Sequence, residues 1–143
     1  MNTTTTSLQT AAPARGWTIG LWIAQILLAA FFAFAAYMKL LMTPEQLVGM
    51  GLAWAQEYPL WFVRGIGLAE LAGVLGILLP ALTRIQPGLT PLAALGFTAI
   101  QVLAILFHFS RGEAAVTPFN FVVLAVAVFV FWGRTRKAPI SAR

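Results

Sequence analysis

The sequence predicts an all-α membrane protein: a transmembrane four-helix bundle with a short amphipathic interfacial helix between helices one and two. Hydrophobic residues make up 60% of the 143-residue chain and charged residues only 9%, well outside the range of soluble domains. Four apolar stretches are each long enough to cross a hydrocarbon layer of about 30 Å, which takes about 20 helical residues. We therefore expect a single domain that is surrounded by the lipid bilayer.

The predicted spans divide the chain into a membrane domain and two tails. Residues 16–134 form the predicted domain, and residues 1–15, which are rich in threonine and lack a hydrophobic period, are predicted to be a disordered cytoplasmic tail. Residues 135–143 are predicted to be a basic cytoplasmic tail. The four spans are expected at about 17–40, 60–80, 90–109 and 115–133.

Three Thr-Pro pairs stand where helices are expected to begin, at Thr43-Pro44, Thr90-Pro91 and Thr117-Pro118. Threonine caps free N–H groups at a helix start, and proline fits the first helical position. The first pair opens a capping box, so we predict a helix over residues 44–58 that ends before Pro59 and is too short to span. Its apolar residues fall near one face, which indicates a helix lying among the lipid headgroups; an extramembrane loop helix is the alternative.

The distribution of basic residues predicts the orientation. Lys39 and Arg111 lie near one side of the membrane, and six basic residues would lie on the other: Arg15, Arg84, Arg134, Arg136, Lys137 and Arg143. Because cytoplasmic loops carry the excess of Lys and Arg, both termini are predicted to be cytoplasmic. This topology accounts for the net charge of +5, so no nucleic-acid partner is expected.

Small residues in helix two predict close helix packing. Gly65, Ala69 and Gly73 are spaced four residues apart, and helix one has alanines at similar spacing. Such a stripe lets two backbones approach each other. We expect helices one and two to pack together; a contact in a homo-oligomer would give the same pattern.

Polar side chains gather in the outer half of the membrane when sequence position is converted into depth at about 1.5 Å per residue. Glu70 is placed about 9 Å deeper than Arg64, at the level that Gln101 reaches on helix three. Ionisable groups facing lipid cost at least about 2.5–3.5 kcal/mol, so we expect these side chains to point into the bundle. The predicted outward-facing pocket contains Lys39, Arg64, Glu70, Gln101, His108 and Asn120.

Structural roles are the alternative for these residues. Lys39 and Arg64 are near helix ends and could extend to the headgroups, and His108 could be an interfacial residue. Asn120 could help to cap its helix. Glu70 most needs a partner: either a cation reaches it, with Lys39 and His108 as alternatives to Arg64, or desolvation keeps it a neutral acid.

The residue types restrict the chemistry. The chain has no cysteine, which excludes disulfides, thiolate metal ligands and iron–sulfur clusters. Its one histidine gives neither a bis-histidine haem within one chain nor the usual catalytic triad, and no three-ligand metal site is formed by one chain. We predict no catalytic residues and no metal, and a diffusible quinone is the only cofactor candidate.

Several segments together resemble one family. They are Lys39-Leu40, the run 67–80 (GLAELAGVLGILLP), His108 before Arg111-Gly112-Glu113, and Asn120 leading to Trp132-Gly133-Arg134. In these the sequence resembles the DoxX-like family of small four-helix membrane proteins. The resemblance implies a multi-pass protein of the bacterial cytoplasmic membrane with Lys39, Glu70, His108 and Asn120 in its polar core. It does not imply one activity, because the family's name comes from a subunit associated with a thiosulfate:quinone oxidoreductase and a eukaryotic relative is an assembly chaperone.

Three functions are compatible with the sequence. In the first, the pocket holds a lipid- or quinone-like molecule, or the bundle is an accessory subunit of a larger membrane complex. In the second, the protein is a quinone-linked oxidoreductase component in which Glu70 and His108 move protons. In the third, it is a small proton-coupled transporter that depends on Glu70, although four helices without an internal repeat make this harder for a monomer.

Overall fold

The computed structural model describes residues 12–143, so most of the tail predicted at residues 1–15 lies outside the described residues. This part of the chain is helical and has no strand, which confirms the all-α prediction. Four of its segments are long and apolar enough to cross a membrane. The helices are α1 (Arg15–Leu41), α2 (Pro44–Gly49), α3 (Leu60–Thr83), α4 (Leu89–Ser110) and α5 (Thr117–Trp132).

The four long helices form an antiparallel bundle. Each packs beside its neighbours in the order α1, α3, α4, α5, and α5 returns to contact α1. Phe32 of α1 and Phe97 of α4 stack across the centre, with ring centroids 3.8 Å apart. We call the end with the start of α1, the α3–α4 connection and the C-terminal segment the terminal end, and the opposite end the loop end.

The segment between α1 and α3 differs from its prediction. Thr43 and Gln46 form the expected capping box, with Gln46 N donating to Thr43 Oγ1 over 3.3 Å and Thr43 N donating to Gln46 Oε1 over 2.9 Å. The prediction of a continuous helix over residues 44–58 is wrong, because α2 ends at Gly49 and a separate 3-10 turn follows at Ala53–Gln56. Gly51 between them has a φ of 91°, a left-handed conformation that interrupts the helix.

The apolar side of this segment packs against the loop end of the bundle. Leu47 and Ala55 are buried in a small cluster with Met38 of α1 and Val63 of α3. Leu47 therefore faces protein, and the segment caps the bundle at the place where α1 and α3 meet.

The ends of the long helices also depart from the predicted limits. α3 continues beyond Pro80 to Thr83, although Pro80 has no N–H to donate to the carbonyl oxygen one turn earlier. α4 starts one residue before Thr90, which lies in the first turn instead of capping it. α5 starts at Thr117 and its last turn widens into a π-helical segment, Gly133–Lys137, so helical structure extends into the predicted basic tail.

Glycines of α3 contact two different helices. A side-chain carbon on Gly73 would overlap the Phe97 ring of α4, and one on Gly67 would lie 2.9 Å from Leu40 Cγ of α1. Gly65 has open space beside it. Helices α1 and α3 do pack together, but through Gly67 and not through the predicted stripe.

Candidate functional site

A buried ion pair joins α1 to α3 in the half of the bundle nearer the loop end. Lys39 Nζ donates to both carboxylate oxygens of Glu70, over 2.9 and 3.1 Å. Lys39 is only 8% exposed and Glu70 only 4%. Because a buried charge is tolerated only when paired, the Lys39 ammonium is the cation that accompanies Glu70.

The local backbone explains why Lys39 is the partner. Lys39 is in the last turn of α1, and Gly67, three residues before Glu70, lets this turn approach α3 closely. Arg64 does not contact Glu70; its Nη1 donates to the main-chain oxygen of Lys39. Arg64 therefore holds the end of α1 in place while Lys39 turns into the bundle.

Gln101 lies on α4 at the level of this ion pair. Gly73 of α3 packs against Phe97 of α4, and Glu70 and Gln101 are each about one turn nearer the loop end. Gln101 is 4% exposed, and its Oε1 has no hydrogen-bond partner among the described residues. An unpaired buried acceptor is rare in proteins, so this oxygen marks an incomplete polar contact.

His108 belongs to a different group of side chains. Its Nδ1 lies 2.7 Å from Glu113 Oε2, and Arg111 bridges Glu113 to Glu57. Arg111 Nε donates to Glu113 Oε1 over 2.8 Å, and its two terminal nitrogens donate to Glu57 over 2.6 and 2.7 Å. We call these four residues the loop-end latch, because they tie the α1–α3 segment to the α4–α5 connection.

Charge pairing in the latch favours the ionised forms. The hydrogen bond from Arg111 lowers the pKa of Glu57, and contacts with His108 first and Arg111 second lower the pKa of Glu113. The same two carboxylates raise the pKa of Arg111 above its ordinary value. Within the latch, Arg111 thus lies between two carboxylates whose ionised forms are favoured by these contacts.

The six predicted site residues therefore do not form one contact cluster. Lys39, Glu70 and Arg64 are linked directly, and Gln101 lies at their level. His108 is two helical turns further along α4, in the latch, and Asn120 is partly buried at the start of α5.

Comparison with known families bears on the whole bundle. The model of the DoxX-like family matches residues 23–130, which include the six predicted site residues and all but the ends of the four long helices. The chain belongs to the DoxX-like family. Searches of curated proteins and of solved structures gave no match.

Sequence reasoning missed several contacts in this DoxX-like protein. Neither Glu57 nor Glu113 is among the predicted site residues, and their separations of 54 and 2 residues from Arg111 give no pairing signal. Gln25 was missed altogether. It is a polar side chain in the apolar middle of the first span, which is the signal that could have found it.

Gln25 belongs to a second polar group, at the terminal end. Its Nε2 donates to the main-chain oxygen of Ile77 over 3.0 Å, and its Oε1 accepts from Arg134 Nε over 2.6 Å. Arg134, predicted to lie at the cytoplasmic end of the fourth span, is 4% exposed. The protein thus has a buried polar contact near each end, separated by the apolar core around Phe32 and Phe97.

The polar side chains that meet are mainly hydrogen-bonding groups. Within residues 12–143, no group of three or more His, Cys, Asp or Glu side chains is placed to hold a metal ion. At the level of Lys39, Glu70 and Gln101, the hydrogen-bond donors are an ammonium and an amide group, and the acceptors are a carboxylate and an amide oxygen. These groups can bind a hydroxyl or a carbonyl.

Proposed function

We propose that this DoxX-like protein is a binding or accessory protein of the bacterial cytoplasmic membrane, with both termini in the cytoplasm. Its site would hold the polar end of a lipid- or quinone-like molecule between α3 and α4, at Lys39, Glu70 and Gln101. Arg64 would position Lys39, and His108 and Asn120 would lie nearer the entrance.

The observation that carries this proposal is the unpaired Oε1 of Gln101, level with the Lys39–Glu70 pair. A buried amide oxygen without a donor is unfavourable by about 1–3 kcal/mol, and a ligand hydroxyl would satisfy it. The amide nitrogen of the same side chain is a donor suited to a ligand carbonyl. A quinol or quinone headgroup, or the hydroxyl or ester group of a lipid, presents these groups.

Binding is preferred to the redox and transport alternatives because of how the titratable groups pair. Both oxygens of Glu70 accept from Lys39, and His108 contacts Glu113. A relay from Glu70 to His108 would need further groups between them, since neither residue contacts the other's partner in these pairings. The residues that meet are arranged to hold a polar group.

The test is identification of the molecule that co-purifies with the protein. We expect near-stoichiometric retention of one amphipathic species in mild detergent, measured by mass spectrometry of the extracted lipids. Gln101→Leu should lower its occupancy by about tenfold, because one buried hydrogen bond to the ligand is lost. The matched control is Thr98→Val, one turn away on α4, where the hydroxyl already donates to the main-chain oxygen of Ala94.

Equal lipid profiles in wild type, Gln101→Leu and Thr98→Val would contradict the binding site. A constant protein partner recovered without any small molecule would instead favour the accessory role. A retained quinone that is reduced by a membrane donor only in the presence of this protein would favour the redox alternative.

A further inference from the structure

Arg134 is a buried cation at the terminal end, opposite the candidate site. Its Nε donates to Gln25 Oε1, and its Nη1 donates to the main-chain oxygen of Ala138 over 3.2 Å. Its guanidinium carbon lies 5.5 Å from the centre of the Trp22 ring. Each of these partners is uncharged, so none neutralises the guanidinium.

The sequence has no acidic side chain to pair with Arg134. It contains four acidic residues, all in the part of the bundle nearer the loop end: Glu45, Glu57, Glu70 and Glu113. Three of them pair with Lys39 or Arg111, and Glu45 is on α2. A buried guanidinium without a counter-anion is unfavourable, most of all beside lipid. No acidic side chain of the sequence therefore neutralises Arg134, and an anion from outside the protein would do so.

Two buried polar atoms at this end have open hydrogen-bonding capacity. Arg134 Nη2 and Thr90 Oγ1 are buried without a partner among the described residues. Thr90 is in the first turn of α4, the helix that contacts the π-helical segment carrying Arg134. A guanidinium N–H group and a hydroxyl group can both donate hydrogen bonds to phosphate oxygens.

The surroundings place this site where lipid phosphates are found. Trp17 and Trp132 pack edge to face at 5.5 Å, and Lys137 lies over both rings. Tryptophan rings of this kind mark the headgroup level of a membrane. The exposed cations nearby attract anionic headgroups: Arg15, Arg84, Arg136, Lys137 and Arg143.

Three hydrogen bonds hold the C-terminal segment at this end of the bundle. Arg84 Nε donates to the main-chain oxygen of Ser141 over 3.0 Å, and Arg143 N donates to the main-chain oxygen of Arg84 over 3.1 Å. The third contact is the one from Arg134 to Ala138. An anionic oxygen is a stronger acceptor for guanidinium than a main-chain carbonyl, so it would replace Ala138 there.

We propose that Arg134 is the centre of a phosphate-binding site at the terminal end, filled by the headgroup phosphate of an anionic phospholipid. Gln25 orients the guanidinium through Nε, which leaves the two terminal nitrogens for the phosphate. The Thr90 hydroxyl is the second donor. This site is separate from the Lys39–Glu70–Gln101 site and does not depend on it.

In the experiment, delipidated full-length protein is titrated with phosphatidylglycerol, and native mass spectrometry measures the fraction of protein that carries the lipid. Phosphatidylcholine with the same acyl chains and inorganic phosphate are titrated in parallel. We expect phosphatidylglycerol to bind most tightly. Arg134→Gln and Arg134→Lys should weaken it by about ten- to hundredfold, because the charge-assisted bonds of the planar guanidinium are lost. Thr90→Val should weaken it by about three- to tenfold.

Arg136→Gln is the matched control, since Arg136 is exposed two residues away and its loss changes the net charge equally. It should change the affinity less than about twofold, because an exposed charge contributes little. Equal effects of Arg134→Lys, Thr90→Val and Arg136→Gln would overturn the site in favour of general attraction to a basic surface. Tight binding of inorganic phosphate that depends on Arg134 would assign the site to a free oxyanion instead of a lipid.

Discussion

Which cation pairs with Glu70 depends on how far each side chain reaches and on one glycine. Depth along the helices could be estimated from the sequence, and it placed Lys39, Arg64 and His108 within range of Glu70. It could not choose among them. The partner depends on Gly67, which has no side chain and so lets the end of α1 pack closely against α3. It also depends on Arg64, whose Nη1 donates to the main-chain oxygen of Lys39 and not to Glu70. Both are details of packing between elements that are distant in sequence.

This pairing makes a prediction for stability. Lys39→Met leaves the Glu70 carboxylate buried without its cation, and should lower the free energy of unfolding by about 3–5 kcal/mol. Glu70→Gln should also be destabilising, because it leaves Lys39 unpaired. The double variant should lose less than the sum of the two, by about 0.5–3 kcal/mol, because the residues are coupled.

These changes in the free energy of unfolding are measured by reversible denaturation in detergent, with circular dichroism as the signal. Arg136→Gln is a suitable control because Arg136 is exposed at the other end of the bundle. Strict additivity of the Lys39 and Glu70 substitutions would show that the two charges do not interact in the folded protein.

At the scale of elements, the sequence predicted where helices occur better than how they begin and end. Hydrophobic length alone identifies a span, because water-free lipid requires every backbone group to bond within the helix. The Thr43 capping box was predicted correctly, since its two partners, Thr43 and Gln46, are only three residues apart. Thr90 was expected to cap α4 but is buried in its first turn, where tertiary packing decides its environment.

The contact between α3 and α4 gives a second prediction. Gly73→Ala places a methyl group against the stacked rings of Phe97 and Phe32, so we expect a loss of about 1–3 kcal/mol from overpacking. Gly65→Ala, two turns earlier on the same helix, meets no atom within 4 Å. It should be neutral or stabilising by up to about 1 kcal/mol, since alanine favours the helix.

The same denaturation measurement compares the two variants. If Gly65→Ala destabilised the monomeric protein as much as Gly73→Ala, the loss would come from the glycine backbone and not from contact with Phe97. A loss of a dimer in Gly65→Ala alone would show that this open face packs against a second copy.

For the whole molecule, the four spans and their order followed from composition and length, but the two polar contacts inside the bundle did not. Gln25 and Arg134 are 109 residues apart and come together only because α1 and α5 are antiparallel neighbours at the terminal end. The sequence around them indicates only an apolar span for Gln25 and the cytoplasmic end of the fourth span for Arg134. Long-range pairing of this kind depends on the rotation of each helix about its axis, which a nearly uniform apolar sequence does not specify.

The orientation of the bundle provides the last prediction. The bundle has its two connections α1–α3 and α4–α5 at the loop end, and six basic residues at the terminal end, of which only Arg134 is buried. Because Lys and Arg are retained on the cytoplasmic side, the terminal end should face the cytoplasm. The chain has no cysteine, so a single introduced thiol reports its own side without background.

Ser110→Cys at the loop end and Ser141→Cys at the terminal end are both at exposed positions. A membrane-impermeant maleimide applied to spheroplasts should label Ser110→Cys at once and Ser141→Cys only after the membrane is permeabilised. Labelling in the reverse order would invert the bundle, and would place the Lys39–Glu70 level nearer the cytoplasm. If the α1, α3, α4 and α5 segments all cross the membrane, the bilayer must separate the loop end from the terminal end. Labelling of both thiols before permeabilisation would contradict this arrangement.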